Sequence, residues 1–237
     1  MKKLSELFYT CAYEGNWQVV GEDVNYKFVE EGSTLYIYFQ GSSSTTDWIR
    51  NFLFKKKPYK DMESFFRVHR GFLSAWKEVE DIIIEKIQEK DIKLVFNRKK
   101  KKYEDKESFK WKEIVVVGYS HGGALAGLCH ECVWYYREDL RENGLHGFGF
   151  EAPRFYGCMF VKEELKERWK NFIVIRDGSD IVTHCPPTIF GYTHVGSILK
   201  IKGDSSLVEN KWLPKFIKYH YPQVVYDGLK KYEEANK

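Results

Sequence analysis

A serine lies at the centre of a glycine-flanked motif, Gly118-Tyr119-Ser120-His121-Gly122. The apolar run Ile114–Val117 before it is typical of a buried strand, and an apolar helical pattern over Ala124–Tyr136 follows it. A nucleophile placed between a strand and a helix lies in a sharp, strained turn, and small residues two positions away on each side relieve the clashes. The sequence therefore predicts that Ser120 is an activated nucleophile.

The same turn predicts part of an oxyanion-binding site. The first backbone amides of the following helix point toward the nucleophile, where the helix dipole favours negative charge. The backbone N–H of His121 is therefore a candidate donor to the oxyanion that forms when a serine attacks a carboxylic ester.

A serine hydroxyl needs a base and an orienting acid to act as a nucleophile. When the serine lies in a G-x-S-x-G turn between a strand and a helix, the chain order is Ser, Asp, His. Asp177 and Asp180 lie just beyond the apolar run Phe172–Ile175, where a strand is predicted to end. Both aspartates remain candidates for the acid on the basis of the residues alone.

Three histidines compete for the role of the base. His220 precedes a predicted C-terminal helix, Pro222–Glu234, while His184 and His194 lie nearer to the candidate acids. The expected position of the base near the C-terminus favours His220 only slightly.

Strands and helices alternate along most of the chain, which indicates an α/β fold with a mostly parallel sheet. An amphipathic helix with Leu73, Trp76 and Ile83 on its apolar face is predicted before the serine motif. The predicted strands are Gln18–Val20, Val24–Val29, Thr34–Gln40, Ile114–Val117, Gly147–Phe150, Phe172–Ile175 and Ile198–Ile201, and a further helix is predicted over Glu163–Trp169.

A segment rich in charge, at about 91–112, interrupts this alternation and contains the basic run Arg98–Lys102. Its composition predicts an exposed excursion with a solvated hairpin tip, in preference to a patch that binds anionic lipid or nucleic acid. We expect one domain over residues 1–237.

The composition excludes several classes. The 38 basic and 34 acidic residues are too balanced for a nucleic-acid binder, so no nucleic-acid partner is expected. No apolar run is long enough to span a membrane or to form a signal peptide, so the sequence as given predicts a cytoplasmic protein, or a secreted one if a signal was removed. The five cysteines, among them the Cys129/Cys132 pair, predict neither a disulfide framework nor a metal site.

Several ordered blocks resemble the class 3, or fungal-type, lipase family of α/β-hydrolases. They read GYSHGGALAGL, GFEAPRF, IRDGSDIVTHCPPTIFGYTHVG and FIKYHYPQVVYDGL, and FQGSSSTTDWIRNF and VHRGFLSAW upstream are also similar. The resemblance extends from about Leu35 to the C-terminus, and such a set is far more specific than one pentapeptide.

The resemblance implies an α/β-hydrolase fold with Ser120 as nucleophile, Asp180 as acid and His220 as base. It implies oxyanion donors at Ser42 and His121, and it makes Asp177 a turn residue and His194 a structural residue. No cofactor or metal is implied. The segment at about 45–57 becomes a candidate lid, with a fixed amphipathic helix as the alternative.

Two departures from the family pattern stand out. His121 replaces a common leucine, although its backbone amide does the chemistry. Glu151-Ala152 replaces a smaller, glycine-containing turn before Pro153-Arg154, which is expected to reshape the floor of the pocket.

The predicted function is a serine hydrolase that cleaves carboxylic esters of lipid-like substrates, with transient contact to a lipid interface. The alternatives are a cytosolic hydrolase of small esters or thioesters, or a non-catalytic binding protein with the same fold. The sequence does not indicate an oligomeric state.

Overall fold

A computed structural model of the 237-residue chain describes residues 2–21, 24–41, 55–59, 65–97 and 100–237. Its central feature is a seven-stranded sheet. The strands in spatial order are β1 (Gln18–Val20), β2 (Val24–Glu31), β3 (Thr34–Phe39), β8 (Glu113–Tyr119), β9 (Leu145–Phe150), β10 (Phe172–Asp177) and β11 (Ser197–Ile201). β1, β2 and β3 pair antiparallel, and every pairing from β3 to β11 is parallel. This is the mostly parallel sheet that the sequence predicts.

Helices cover both faces of this sheet. The long helices are α1 (Leu4–Tyr13), α2 (Arg70–Ile87), α3 (His121–Tyr136) and α6 (Pro222–Ala235), and the short ones are α4 (Glu163–Lys166) and α5 (Lys215–Lys218). Side chains of α2 and α3 join one apolar core, whereas those of α1 and α6 join the core on the opposite face. Since parallel strands in such a sheet are buried on both faces, β8 is apolar throughout its middle.

The strands and the main helices predicted from the sequence are present, with ends that shift by a few residues. Two helices were not predicted, α1 and the short α5. α1 packs on the sheet through Phe8, whose ring centroid lies 5.3 Å from that of Tyr119 and 5.2 Å from that of Phe150. A two-stranded sheet of β4 (Lys56–Tyr59) and β5 (Phe66–His69) also escaped prediction. Four-residue strands that contain Pro58 and charged side chains give little periodic signal.

The charged excursion is a two-stranded antiparallel hairpin of β6 (Lys90–Asn97) and β7 (Lys102–Phe109). Exposed side chains line most of its described residues, and residues 98 and 99 of the basic run lie outside them. Trp111, which follows the hairpin, is fully buried and donates from its indole nitrogen to the Lys86 carbonyl oxygen at 3.0 Å.

All five cysteines are reduced, and Cys11, Cys129 and Cys132 are fully buried. Burial raises the pKa of each of these three thiols, so they pack as small apolar side chains. Within the described parts of the chain, no helix combines the length and the apolar character that crossing a membrane requires.

A buried histidine makes the stability of the fold sensitive to acid. His130 of α3 packs against the Phe172 ring, and burial lowers its pKa to about 3. In the unfolded chain, a histidine takes up a proton at about pH 6.5. The stability that the neutral, buried His130 contributes is therefore fully present above that pH and is lost as the pH falls toward 3. We expect the wild type to lose about 2 kcal/mol more unfolding free energy between pH 7 and pH 5 than His130→Leu does.

Urea unfolding at the two pH values measures this difference. Leucine keeps the apolar contact with Phe172 but takes up no proton. Equal losses of free energy in the wild type and the variant would show that His130 is not the acid-sensitive group.

Candidate active site

Ser120 lies in a strained turn between β8 and α3. Its φ is 56° and its ψ is −123°, values that a non-glycine residue rarely adopts. The turn is fixed on both sides: the Ser120 N–H donates to the Phe150 carbonyl oxygen at 2.9 Å, and the Gly123 N–H donates to the Ser120 carbonyl oxygen at 2.9 Å. The side chain of Ser120 is therefore presented at the carboxyl end of the parallel strands.

The glycines of the motif allow the backbone to pass closely around Ser120. A Cβ on Gly118 would overlap the carbonyl group of Gly122, and a Cβ on Gly122 would overlap the carbonyl groups of Phe39 and Gln40. A Cβ on Gly123 would lie 2.7 Å from that of Ala152. The spacing of small residues thus has the steric cause that the sequence argument assigned to it.

Three of the predicted site residues meet in one buried chain of contacts. The His220 Nε2 atom lies 2.8 Å from Ser120 Oγ, and His220 Nδ1 lies 2.6 Å from Asp180 Oδ2. In sequence, His220 is 100 positions from Ser120 and 40 positions from Asp180. Each of the three residues is at most 4% exposed. With its proton on Nδ1, the imidazole can accept the Ser120 proton at Nε2.

Backbone contacts hold Asp180 in place. Its Oδ1 accepts the Val182 N–H at 2.9 Å, and its carbonyl oxygen accepts the Thr183 hydroxyl at 3.0 Å. The next residue, Ile181, donates its N–H to the Phe216 carbonyl oxygen at 3.2 Å, which ties the loop after β10 to the segment that carries His220. One oxygen of Asp180 is thereby left to orient the imidazole.

The imidazole of His220 packs against the ring of Tyr119. The two rings are nearly parallel, at 20°, with centroids 5.4 Å apart, and the Tyr119 hydroxyl donates to the His220 carbonyl oxygen. Burial raises the pKa of Tyr119, and the charge of Asp180 acts in the same direction. The phenol therefore stays protonated and remains a hydrogen-bond donor.

The competing aspartate has a different role in the structure. Asp177 is buried at the end of β10, where its Oδ1 accepts the Ser179 N–H at 2.8 Å and its Oδ2 accepts the Gly203 N–H at 3.0 Å. It does more than shape the turn that the sequence predicts, because it also joins β10 to the segment after β11.

The competing histidines lie outside the chain of contacts at Ser120. His194 Nε2 lies 2.9 Å from the Thr183 carbonyl oxygen, and His184 Nε2 lies 3.1 Å from the Gly178 carbonyl oxygen. With a proton on that nitrogen, each imidazole can brace the loop around Asp180.

The two predicted oxyanion donors differ in what the structure describes. The first residue of α3 is His121, which follows Ser120 directly, and its ring packs on Phe72 with centroids 5.4 Å apart. Ser42 and most of the candidate lid at 45–57 lie outside the described residues; of that segment, β4 begins at Lys56. Gly41, which precedes Ser42, is adjacent to the nucleophile, since a Cβ on it would lie 3.2 Å from that of Ser120.

The sequence analysis did not include Glu151 among the site residues and expected only that the Glu151-Ala152 turn reshapes the floor of the pocket. The structure places it in the hydrogen-bonded cluster, where its Oε1 accepts the Asp177 N–H at 2.7 Å. Its position directly after the buried strand β9, where a charge is unexpected, was the available signal.

Ligand atoms of Glu151, Asp180 and His220 all lie within 4.8 Å of one another. A small cation could contact all three, but hydrogen bonding already explains the closeness of Asp180 and His220.

Comparison with known proteins gives the family. The sequence-family model of the class 3 lipases matches residues 36–190 of this chain. A lipase of Rhizomucor miehei is 27% identical over 194 residues, which cover 82% of this chain and 47% of that protein. A secreted mono- and diacylglycerol lipase of Fusarium solani is 31% identical over 160 residues, which cover 68% of this chain and 41% of that protein.

Solved structures agree on the fold. A triacylglycerol lipase whose catalytic centre is described as a serine protease triad superposes with a TM-score of 0.65 at 23% identity, over 90% of this chain and 82% of that one. The chain spans less than half the length of the two relatives compared by sequence. The family match over residues 36–190, more than half of the sequence, shows that this chain belongs to the class 3 lipase family.

Proposed function

We propose that this protein is a serine hydrolase that cleaves carboxylic esters of lipid-like substrates through an acyl-enzyme. The observation that carries the proposal is the contact chain from Ser120 Oγ to His220 Nε2 and from His220 Nδ1 to Asp180 Oδ2, at 2.8 and 2.6 Å. Its order and geometry are those of a Ser-His-Asp triad. The seven-stranded sheet that supports these residues is continuous, which favours one domain.

In the first half of the proposed cycle, Ser120 Oγ attacks the ester carbonyl carbon while its proton passes to His220 Nε2. Asp180 accepts the Nδ1–H and stabilises the imidazolium. Collapse of the tetrahedral intermediate breaks the bond to the leaving alcohol, which takes the proton from His220 Nε2. The acyl group remains on Ser120.

In the second half, water attacks the acyl-enzyme and gives its proton to His220 Nε2. The second tetrahedral intermediate releases the carboxylic acid, and Ser120 Oγ recovers its proton. We place the negative oxygen of both intermediates at the backbone N–H of His121 and at Ser42. Each such donor typically stabilises the transition state by about 3 kcal/mol.

Exposed apolar side chains support a lipid-like substrate. Trp212 is 95% exposed and Phe216 is 51% exposed, and both lie on the connection between β11 and α6 that also carries His220. Ile189, 84% exposed, lies on the connection between β10 and β11 that carries Asp180. We propose that these side chains make transient contact with a lipid interface.

Hydrolysis of p-nitrophenyl esters from acetate to palmitate, beside an emulsified triglyceride, tests the substrate class. We expect turnover to rise with acyl length and to increase further on the emulsion. Trp212→Ser is expected to lower the rate on the emulsion several-fold while leaving short soluble esters unchanged.

The control is Leu94→Ser, which removes another exposed apolar side chain, 66% exposed, from the β6–β7 hairpin. Turnover confined to acetate and butyrate would contradict a lipid-like substrate and would support the alternative of a small-ester hydrolase.

The Fusarium relative is a secreted lipase, which favours the secreted alternative for the location of this chain.

A further inference from the structure

A third carboxyl group lies beside the Ser-His-Asp chain of contacts. Glu151 follows β9 and is fully buried. One of its oxygens, Oε1, accepts the Asp177 N–H at 2.7 Å, and a carboxylate oxygen of Glu151 lies within 4.8 Å of ligand atoms of Asp180 and His220. Neither the attack of Ser120 nor the orientation of His220 accounts for its presence there.

The backbone holds Glu151 in this position. Its φ is 45°, in the left-handed region that disfavours a side chain, and its N–H donates to the Ile175 carbonyl oxygen at 2.8 Å. The preceding residue, Phe150, accepts the Ser120 N–H, so the turn that carries Glu151 is bonded to the turn that carries the nucleophile. A strained turn fixed at both ends indicates that the direction of this side chain matters.

The charges in the cluster are unevenly compensated. Asp177 accepts two backbone N–H groups, and Asp180 accepts one and faces His220. The second oxygen of Glu151, Oε2, is buried, and no N–H or O–H donor of the described residues reaches it. If Glu151 were a carboxylate, its Oε2 would face other acids without a donor, whereas a neutral carboxyl group brings a donor of its own.

The direction of titration agrees with a neutral group. Burial raises the pKa of Glu151 well above its usual range, and the charge of Asp180, a hydrogen bond to Asp180 and the charge of Asp177 raise it further. The Asp177 N–H acts in the opposite direction but does not outweigh them. The titratable groups that face Glu151 are Asp177, Asp180, His220 and Tyr119.

We propose that Glu151 is a positioning residue whose protonated carboxyl group donates a hydrogen bond from Oε2 to the Asp180 carboxylate. The inference rests on the proposed function, because it assigns Glu151 to the orientation of the acid of that triad. Asp180 is then held by the Val182 N–H on one side and by the Glu151 O–H on another, and its remaining lone pairs face His220. The cluster carries one negative charge fewer than its three carboxyl groups suggest.

Two substitutions separate this role from simple packing. In Glu151→Gln, the amide oxygen can accept the Asp177 N–H and the NH₂ group can donate to Asp180, with no charge at any pH. In Glu151→Leu, the volume is similar but both hydrogen bonds are lost. We would measure kcat and KM against pH and follow the His220 imidazole by NMR through the same titration.

For Glu151→Gln we expect kcat/KM within about threefold of the wild type and a His220 titration midpoint within a few tenths of a pH unit, since no charge is removed. For Glu151→Leu we expect kcat to fall about 10- to 100-fold at unchanged KM, the effect of losing a hydrogen bond to a charged group. The midpoint should rise, because a carboxylate with fewer donors holds the imidazolium proton more tightly.

Two results would overturn the proposal. A midpoint that falls by about one unit in Glu151→Gln would show that Glu151 carries a charge in the wild type. If Glu151→Leu kept the kcat/KM of the wild type, Asp180 would need no hydrogen bond from Glu151. If Glu151→Leu does not fold, the midpoint in Glu151→Gln decides the question alone.

The NMR measurement also separates this inference from the proposed function. A wild-type protein that hydrolyses no ester would contradict the proposed function. The His220 midpoint would still report whether Glu151 is neutral beside Asp180.

Discussion

Replacement of Ser120 by alanine is expected to lower kcat by about 10⁶-fold on any ester that the wild type hydrolyses, with the fold retained. The hydroxyl is the atom that would form the acyl-enzyme, and no hydroxyl remains for His220 Nε2 to activate at 2.8 Å. The backbone turn does not depend on the hydroxyl, because it is fixed by main-chain hydrogen bonds. Circular dichroism and thermal unfolding would verify the fold.

The matched control for this substitution is Ser179→Ala, which removes an exposed hydroxyl from the loop between Asp177 and Asp180. Its kcat should stay within about twofold of the wild type, as is usual for a surface substitution. A Ser120→Ala protein that keeps a tenth of the wild-type rate would contradict the role of Ser120 as the nucleophile.

Replacement of Asp180 by asparagine is expected to lower kcat by about 10⁴-fold. The amide keeps the size of the side chain, but it no longer carries the charge that stabilises the imidazolium, and it can stabilise the wrong tautomer of His220. The loss should appear in kcat with little change in KM, because the carboxylate touches the imidazole and not the substrate.

Asp177→Asn is the informative comparison for this result. Its carboxylate accepts the N–H groups of Ser179 and Gly203, and one amide oxygen cannot replace both acceptors. We expect a loss of about 1–3 kcal/mol of stability with kcat reduced far less than in Asp180→Asn. Equal losses of kcat in the two variants would contradict the assignment of Asp180 as the acid.

The parallel part of the fold could be predicted because its elements have strong local signals. β8 is apolar on both faces, and α2 repeats its apolar residues at helical spacing. By contrast, α1 contains Tyr9 and Tyr13 on its exposed side, so its periodicity is blurred, and it is ordered by contacts of Phe8 with the sheet. Contacts between residues that are distant in sequence give no signal in the local hydrophobic pattern.

The candidate site was predictable to different degrees. The turn around Ser120 has a steric signature in Gly118 and Gly122, which local sequence reveals. The choice of Asp180 and His220 over their neighbours needed the resemblance to a family, because a distance of 2.8 Å across 100 residues of chain is set by the fold. The place of Glu151 among the site residues was not predicted, because it depends on contacts with Asp177 and Asp180, which lie beyond it in sequence.

The most direct test of the central claim is the mass of the folded protein after reaction with a long-chain alkyl fluorophosphonate. We expect one phosphonyl adduct, located on Ser120 by peptide mapping, in the wild type and in Ser179→Ala. Ser120→Ala should remain unmodified, and His220→Ala should react far more slowly. An unmodified wild-type protein, or an adduct that persists in Ser120→Ala, would contradict the proposal that Ser120 is an activated nucleophile.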